Sequence, residues 1–145
     1  MPTTIRKILY PELSYKLTGL FFKAHKDLGR FCRERQYSDA VEELLKQNEV
    51  SYKREFELKK FKPTGPEGNR VDFLIEDKII IDIKAKKFIT KEDYIQMLRY
   101  LESASLELGM IVNFRNTYLK PKRVLNAKLN SGNSGVNSDH SCRQI

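Results

Sequence analysis

The sequence predicts a single α/β domain, of the α+β kind, in which helical and extended segments share one chain. Three observations carry that expectation. Two stretches ahead of residue 48 place apolar side chains at helical spacing, and residues 50–60 alternate apolar with polar. Two short, strongly apolar segments, 71–75 and 79–85, then flank the charged turn Glu76-Asp77-Lys78. At 145 residues the chain has the size of one domain with one core.

Taken in order, residues 1–9 are a basic lead-in. Over 11–28, Leu13, Leu17, Leu20, Phe21, Ala24 and Leu28 fall on one helical stripe. Pro11 suits the first turn, and Gly29 can take the left-handed conformation that ends a helix. His25, one step from Ala24, is read as structural. A second helix is expected over 33–47, with Tyr37, Ala40, Val41, Leu44 and Leu45 as its apolar face. Glu34 shares that face by spacing, and a carboxylate on a buried stripe needs a partner. Two readings fit it: a first-turn acid favoured by the helix dipole, or a third acidic group at a cation site. Residues 50–60 read as a strand with Val50, Tyr52, Arg54, Phe56 and Leu58 on one side. Residues 61–69 (FKPTGPEGN) form a turn-rich loop.

The hairpin at 71–85 is where chemistry enters. A two-residue loop pairs Ile75 with Lys78 and separates Asp72 from Asp82. A three-residue loop instead pairs Ile75 with Ile79, Phe73 with Ile81 and Val71 with Ile83, putting those six apolar side chains on one face and Leu74 and Ile80 on the other. Burial is worth about 1.5–3 kcal/mol per such side chain, so the three-residue register is expected. The other face then sets Asp72 across from Asp82, with Lys84 beside Asp82. Directly opposed carboxylates repel, and a divalent cation reverses the sign of that interaction. Spacing alone also fits an ordinary hairpin with a solvated polar face.

Beyond the hairpin, Thr90 and Asp93 mark a capped helix start, although the capping box prefers Glu or Gln at the second position. The helix is expected to reach 106, with Tyr94, Met97, Leu98, Leu101 and Ser105 as one stripe. Gln96 and Tyr100 share a neighbouring face, and by spacing Gln96 faces water. Residues 108–114 (LGMIVNF) read as a buried strand, and Val124 and Leu125, after a basic stretch at 120–123, as an edge strand. From 126 to 145 Ser, Gly and Asn dominate, so the domain is bounded at 1–125 and the tail is expected to be disordered.

Lys and Arg number 27 against 19 acidic residues, a net charge of +8 and a pI near 9.5, which favours a polyanionic partner. No run approaches the ~18 apolar residues of a membrane span, and the amino terminus does not read as a secretory signal. Cys32 and Cys142 lack metal-site spacing, so free thiols in a reducing cytoplasm are expected.

Across the chain, AHKDLG (24–29), ExxY (Glu34 to Tyr37), RVDFLI (70–75), IIIDIKA (79–85), YIQMLRYL (94–101) and LGMIVNF (108–114) occur in one order. In that order the sequence resembles the small bacterial GxxExxY family, a branch of the PD-(D/E)xK nuclease superfamily. Two departures stand out: Phe31 replaces the family's first motif glycine, and Asp82 stands where the family usually carries Glu. The resemblance implies a restriction-endonuclease-like core, a mixed central sheet flanked by helices. It implies Asp72, Asp82 and Glu34 as ligands of Mg²⁺ or Mn²⁺, Lys84 as the group orienting the hydrolytic water, and Gln96 as a further site member. Tyr37 and Tyr100 are read as packing or supporting groups. The expected activity is metal-assisted phosphodiester hydrolysis of DNA or RNA. Lys53, Lys59, Lys60, Lys86, Lys87 and residues 120–123 offer a phosphate track, though each alone fits a solvated side chain. Analogy with other small superfamily members suggests a homodimer. A non-catalytic nucleic-acid-binding module and a protein-interaction module are the competing readings.

Overall fold

The computed structural model describes residues 10–60 and 69–127. The basic lead-in at 1–9, the loop at 61–68, and the tail from 128 with Cys142 lie outside the described residues. Helices α1 (Pro11–Leu28) and α2 (Glu34–Gln47) precede β1 (Tyr52–Glu57) and a short 3-10 turn (Leu58–Lys60). Then follow β2 (Arg70–Ile75), β3 (Ile79–Lys84), α3 (Lys91–Ala104), β4 (Leu108–Asn113) and β5 (Lys122–Leu125). The strands form one sheet in the order β1-β2-β3-β4-β5. β3 and β4 are parallel and every other neighbouring pair is antiparallel. This is the mixed sheet with flanking helices that the sequence led us to expect. A parallel pair needs a long crossover, and α3 supplies it.

Strand alternation divides the core in two. Ile79, Ile81 and Ile83 pack with α1 and α2 residues such as Leu17, Phe21, Val41 and Leu45. Ile80 and Ile111 pack on the opposite face with Met97, Leu101 and Ala104 of α3. Among the described residues, no helix is long and apolar enough to cross a membrane.

The hairpin has the three-residue loop: Ile75 pairs with Ile79, Leu74 with Ile80 and Phe73 with Ile81. Glu76 and Asp77 both adopt left-handed φ values, 51° and 56°, and Lys78 N–H closes the turn on the Ile75 carbonyl at 2.8 Å. α1 matches its expected bounds and ends at Gly29, whose φ of 80° favours a residue without a Cβ.

Four expectations need correction. The alternation of Val50, Tyr52, Arg54, Phe56 and Leu58 on one side breaks at Glu55, which has a left-handed φ of 50°. Tyr52 packs against the α1–α2 core, whereas Phe56 and Leu58 join the α3 core. Val71, paired with Phe56, crosses with it, so the apolar hairpin face loses Val71. In α3 the buried stripe is Asp93, Met97, Tyr100, Leu101 and Ala104, and Ser105 is the exposed left-handed cap rather than a core position. Met97, common to both stripes, fills the space of the absent side chain at Gly109, where a Cβ would clash with its Sδ. Finally, Asn126 belongs to the fold, not the tail. It is buried, and its backbone and side-chain N–H groups donate to the carbonyls of Glu107 and Leu106.

Candidate active site

Asp82 lies on β3 among otherwise apolar neighbours, 7% exposed. Strand alternation points it away from the Ile81–Ile83 face and toward α3. Its partner in the expected register, Asp72, is not paired through the ladder, which stops at Phe73 and Ile81. Instead the Asp72 carboxylate accepts a hydrogen bond from Ile83 N–H at 2.7 Å. β2 thus parts from β3 at Asp72, and the side chain substitutes for the missing backbone acceptor. The divergence coincides with Glu55, which faces Asp72 between the pairs Arg54–Phe73 and Phe56–Val71. Non-glycine residues rarely adopt that left-handed backbone, at a cost of about 1–3 kcal/mol, and such positions cluster at functional sites.

The electrostatics single out Asp82. Burial pushes its carboxyl up to about 7; Lys84 opposes the rise and the neighbouring Asp72 charge reinforces it. Lys84 Nζ stands 3.5 Å from Asp82 Oδ2 and 3.7 Å from Asp93 Oδ1. Burial pulls the Lys84 ammonium down, but Asp82, Asp93, Glu34 and Asp72 together hold it above its ordinary value. It is a cation in a nest of carboxylates.

Asp93 is the residue that sequence reasoning missed. Its capping role is present: Thr90 Oγ1 accepts from Asp93 N–H, and Asp93 Oδ2 accepts from Thr90 N–H at 2.8 Å. The same buried carboxylate also meets Lys86 Nζ at 2.5 Å and faces Lys84. Burial alone would raise it, but the Lys86 and Thr90 bonds outweigh that and hold it below the usual carboxylate range. A capping-box reading accounted for Asp93 fully, and no local pattern points to this second contact. Asn113, buried at the end of β4, was missed too. Its side chain accepts from the N–H groups of Lys86 and Arg115 and donates to the Lys86 carbonyl, fixing the chain just after Lys84.

Glu34 departs from its expected place on the apolar face: it is exposed in the first turn of α2, whose buried face is Tyr37, Ser38, Val41, Leu44 and Leu45. Its charge nonetheless reaches Lys84. Tyr37 explains that position. It stacks on Phe114 at 4.3 Å, donates to the Gly29 carbonyl at 2.5 Å and accepts from Cys32 N–H, so it shapes the turn that starts α2. Gln96 is half-buried on α3, one turn before the buried Tyr100. Burial, then the charge of Asp82, raises the Tyr100 hydroxyl, which places that ring near the carboxylates.

The donor set suits a hard divalent cation in one respect. Asp82 Oδ2 is buried beside a second carboxylate and, among the described residues, accepts no hydrogen bond, with the Lys84 ammonium 3.5 Å away. In another respect it is incomplete: among the described residues no three His, Cys, Asp or Glu side chains are grouped to hold a metal ion. The structure brings together Asp72, Asp82, Lys84 and Asp93, with Glu34 at longer range.

No curated protein and no solved structure matches the chain. A model of the PD-(D/E)XK nuclease superfamily does match it, over residues 11–124. Nucleases of that superfamily act on nucleic acid and generally use divalent metal ions. The match runs from the first turn of α1 to the penultimate residue of β5, and the chain belongs to the PD-(D/E)XK nuclease superfamily.

Proposed function

We propose that the protein hydrolyses phosphodiester bonds of DNA, as a member of the GxxExxY branch, with Mg²⁺ or Mn²⁺ held by Asp72 and Asp82. The observation that carries this reading is the buried Asp82 carboxylate, set beside Asp72 and ion-paired with the Lys84 ammonium at 3.5 Å. Glu34 and Tyr37 supply the ExxY element of that branch, with Glu34 contributing from the mouth of the site. The bound cation supplies Lewis-acid polarisation of the phosphoryl oxygen and acidifies the attacking water.

The chain's own residues do the rest. Lys84, kept protonated by its carboxylate neighbours, orients the water and meets negative charge as it develops on the phosphoryl oxygens. Asp93 and Lys86 position Lys84, one by direct attraction and the other by balancing the Asp93 charge. Gln96, from α3, adds a hydrogen-bonding group beside Tyr100. Homodimerisation would place two such sites in one particle.

The test is cleavage of plasmid and single-stranded DNA with Mg²⁺ or Mn²⁺, comparing wild type with Lys84→Ala. Removing one preorganised charge-stabilising group costs about 10²–10³ in rate, so Lys84→Ala is expected to lose cleavage by that factor while staying folded. A wild type that shifts DNA in gels with or without cation, and yields no product, would favour the non-catalytic binding module instead.

A further inference from the structure

Two loops leave the sheet where Lys84 and Asn113 finish, and a third, the α1–α2 turn, is tied to them. Phe114 N–H donates to the Lys84 carbonyl, and Asn113 ties the chain after β4 to Lys86. Arg30 Nε donates to the Arg115 carbonyl and Arg115 Nε to the Arg30 carbonyl, each at 2.9 Å, clasping the α1–α2 turn to the β4–β5 loop. Each of these loops carries one large aromatic ring in water: Phe31 is 74% exposed, Phe88 74% and Tyr118 79%. Among the described residues, the other exposed aromatics, Tyr15 and Phe22, both lie on α1. The Arg30 and Arg115 guanidinium groups sit 4.6 and 5.6 Å from the Phe31 ring centroid.

We infer that this loop end is a stacking platform for an unpaired strand of nucleic acid, a reading that rests on the proposed hydrolysis and names its substrate class. Exposed rings have no use for a duplex phosphate backbone, which charge alone attracts. An unpaired strand presents base faces as well as phosphates, and proteins that bind it combine aromatic platforms with cationic side chains. Here both elements are in place. The rings stand on three separate loops, two of them clasped together by Arg30 and Arg115, and Arg30, Arg115 and Lys87 supply cationic groups on those same loops. The reciprocal Arg30–Arg115 bonds fix the guanidinium planes before any ligand arrives, which lowers the ordering cost of binding.

The test is fluorescence anisotropy in EDTA with labelled oligothymidylate of about 20 nucleotides and with a duplex of equal length. Phe31→Ala, Phe88→Ala and Tyr118→Ala are each compared with wild type, with Tyr118→Phe as the conservative control. Wild type is expected to prefer the single strand. Each alanine variant should weaken that binding about 10-fold, Tyr118→Phe should restore it, and duplex affinity should stay within about 2-fold. These rings are exposed, so thermal midpoints should not move. Single-strand affinity unchanged in all three alanine variants, or wild type binding duplex as tightly, would overturn the inference. Product formation with Mn²⁺, and its loss in Lys84→Ala, judges the hydrolysis reading separately. A protein that cuts duplex without using its rings would sink the stacking platform and leave that reading standing.

Discussion

Asp82 is buried between the sheet and α3, and that burial, reinforced by Asp72 and opposed by Lys84 at 3.5 Å, raises its carboxyl to about 7. Its ordinary value in an unfolded chain is near 3.8. Folding therefore holds on to a proton that the unfolded chain releases, and the stability linked to it is full below about 3.8 and lost as pH rises through about 7. Asp82→Asn removes the titration. Relative to the variant, cation-free wild type should lose stability between pH 4 and 8, read from urea midpoints at several pH values. Added Mn²⁺ should narrow that gap at the alkaline end. Equal midpoint shifts for wild type and variant across this range would mean Asp82 titrates normally. At this scale Asp72, Asp82 and Lys84 were legible because strand periodicity of two fixes which side chains share a face. Asp93 was not, since its contact with Lys84 joins two elements whose packing no local pattern encodes. Glu34 was half legible: periodicity gave its helix but not how far the first turn of α2 stands out into solvent.

At the scale of elements, loop length chose the hairpin register, and one left-handed residue modified it. The three-residue turn pairs Ile75 with Ile79 as expected, yet Glu55 on the neighbouring strand sends Phe56 and Val71 to the opposite core and frees Asp72 from the ladder. A polar residue in an alternating run gives no sign of positive φ, so the break could not be read from the pattern. The same holds for α3, where a helical period alone left its rotation open by one position. Gly109 admits Met97 against β4, and the pair is a sharp packing test. Gly109→Ala should destabilise the protein by about 1–3 kcal/mol, the range for overpacking a core, with the loss visible in urea unfolding. If Gly109→Ala unfolds at the wild-type midpoint, Met97 does not fill the space at Gly109.

For the whole molecule, the parallel pair β3–β4 is the decisive feature. It sends the ends of both strands the same way, so Lys84 and Asn113 finish side by side and their loops open at one end of the sheet. The order of helices and strands was readable from hydrophobic period, and so was the edge position of the last strand. Which strands run parallel was not, because that depends on where a crossover helix docks. A net charge of +8 suits a polyanion approaching this end, but charge brings a ligand near without performing chemistry. The proposed chemistry depends on the two aspartates acting as one cation site. Calorimetric titration of Mn²⁺ at about pH 7.5, above the Asp82 transition, measures that most directly. Wild type should bind saturably, with Asp72→Asn and Asp82→Asn each at least about 10-fold weaker, as expected when a hard cation loses a carboxylate oxygen. Absent Mn²⁺ uptake by wild type, or variants that bind as wild type does, would contradict it.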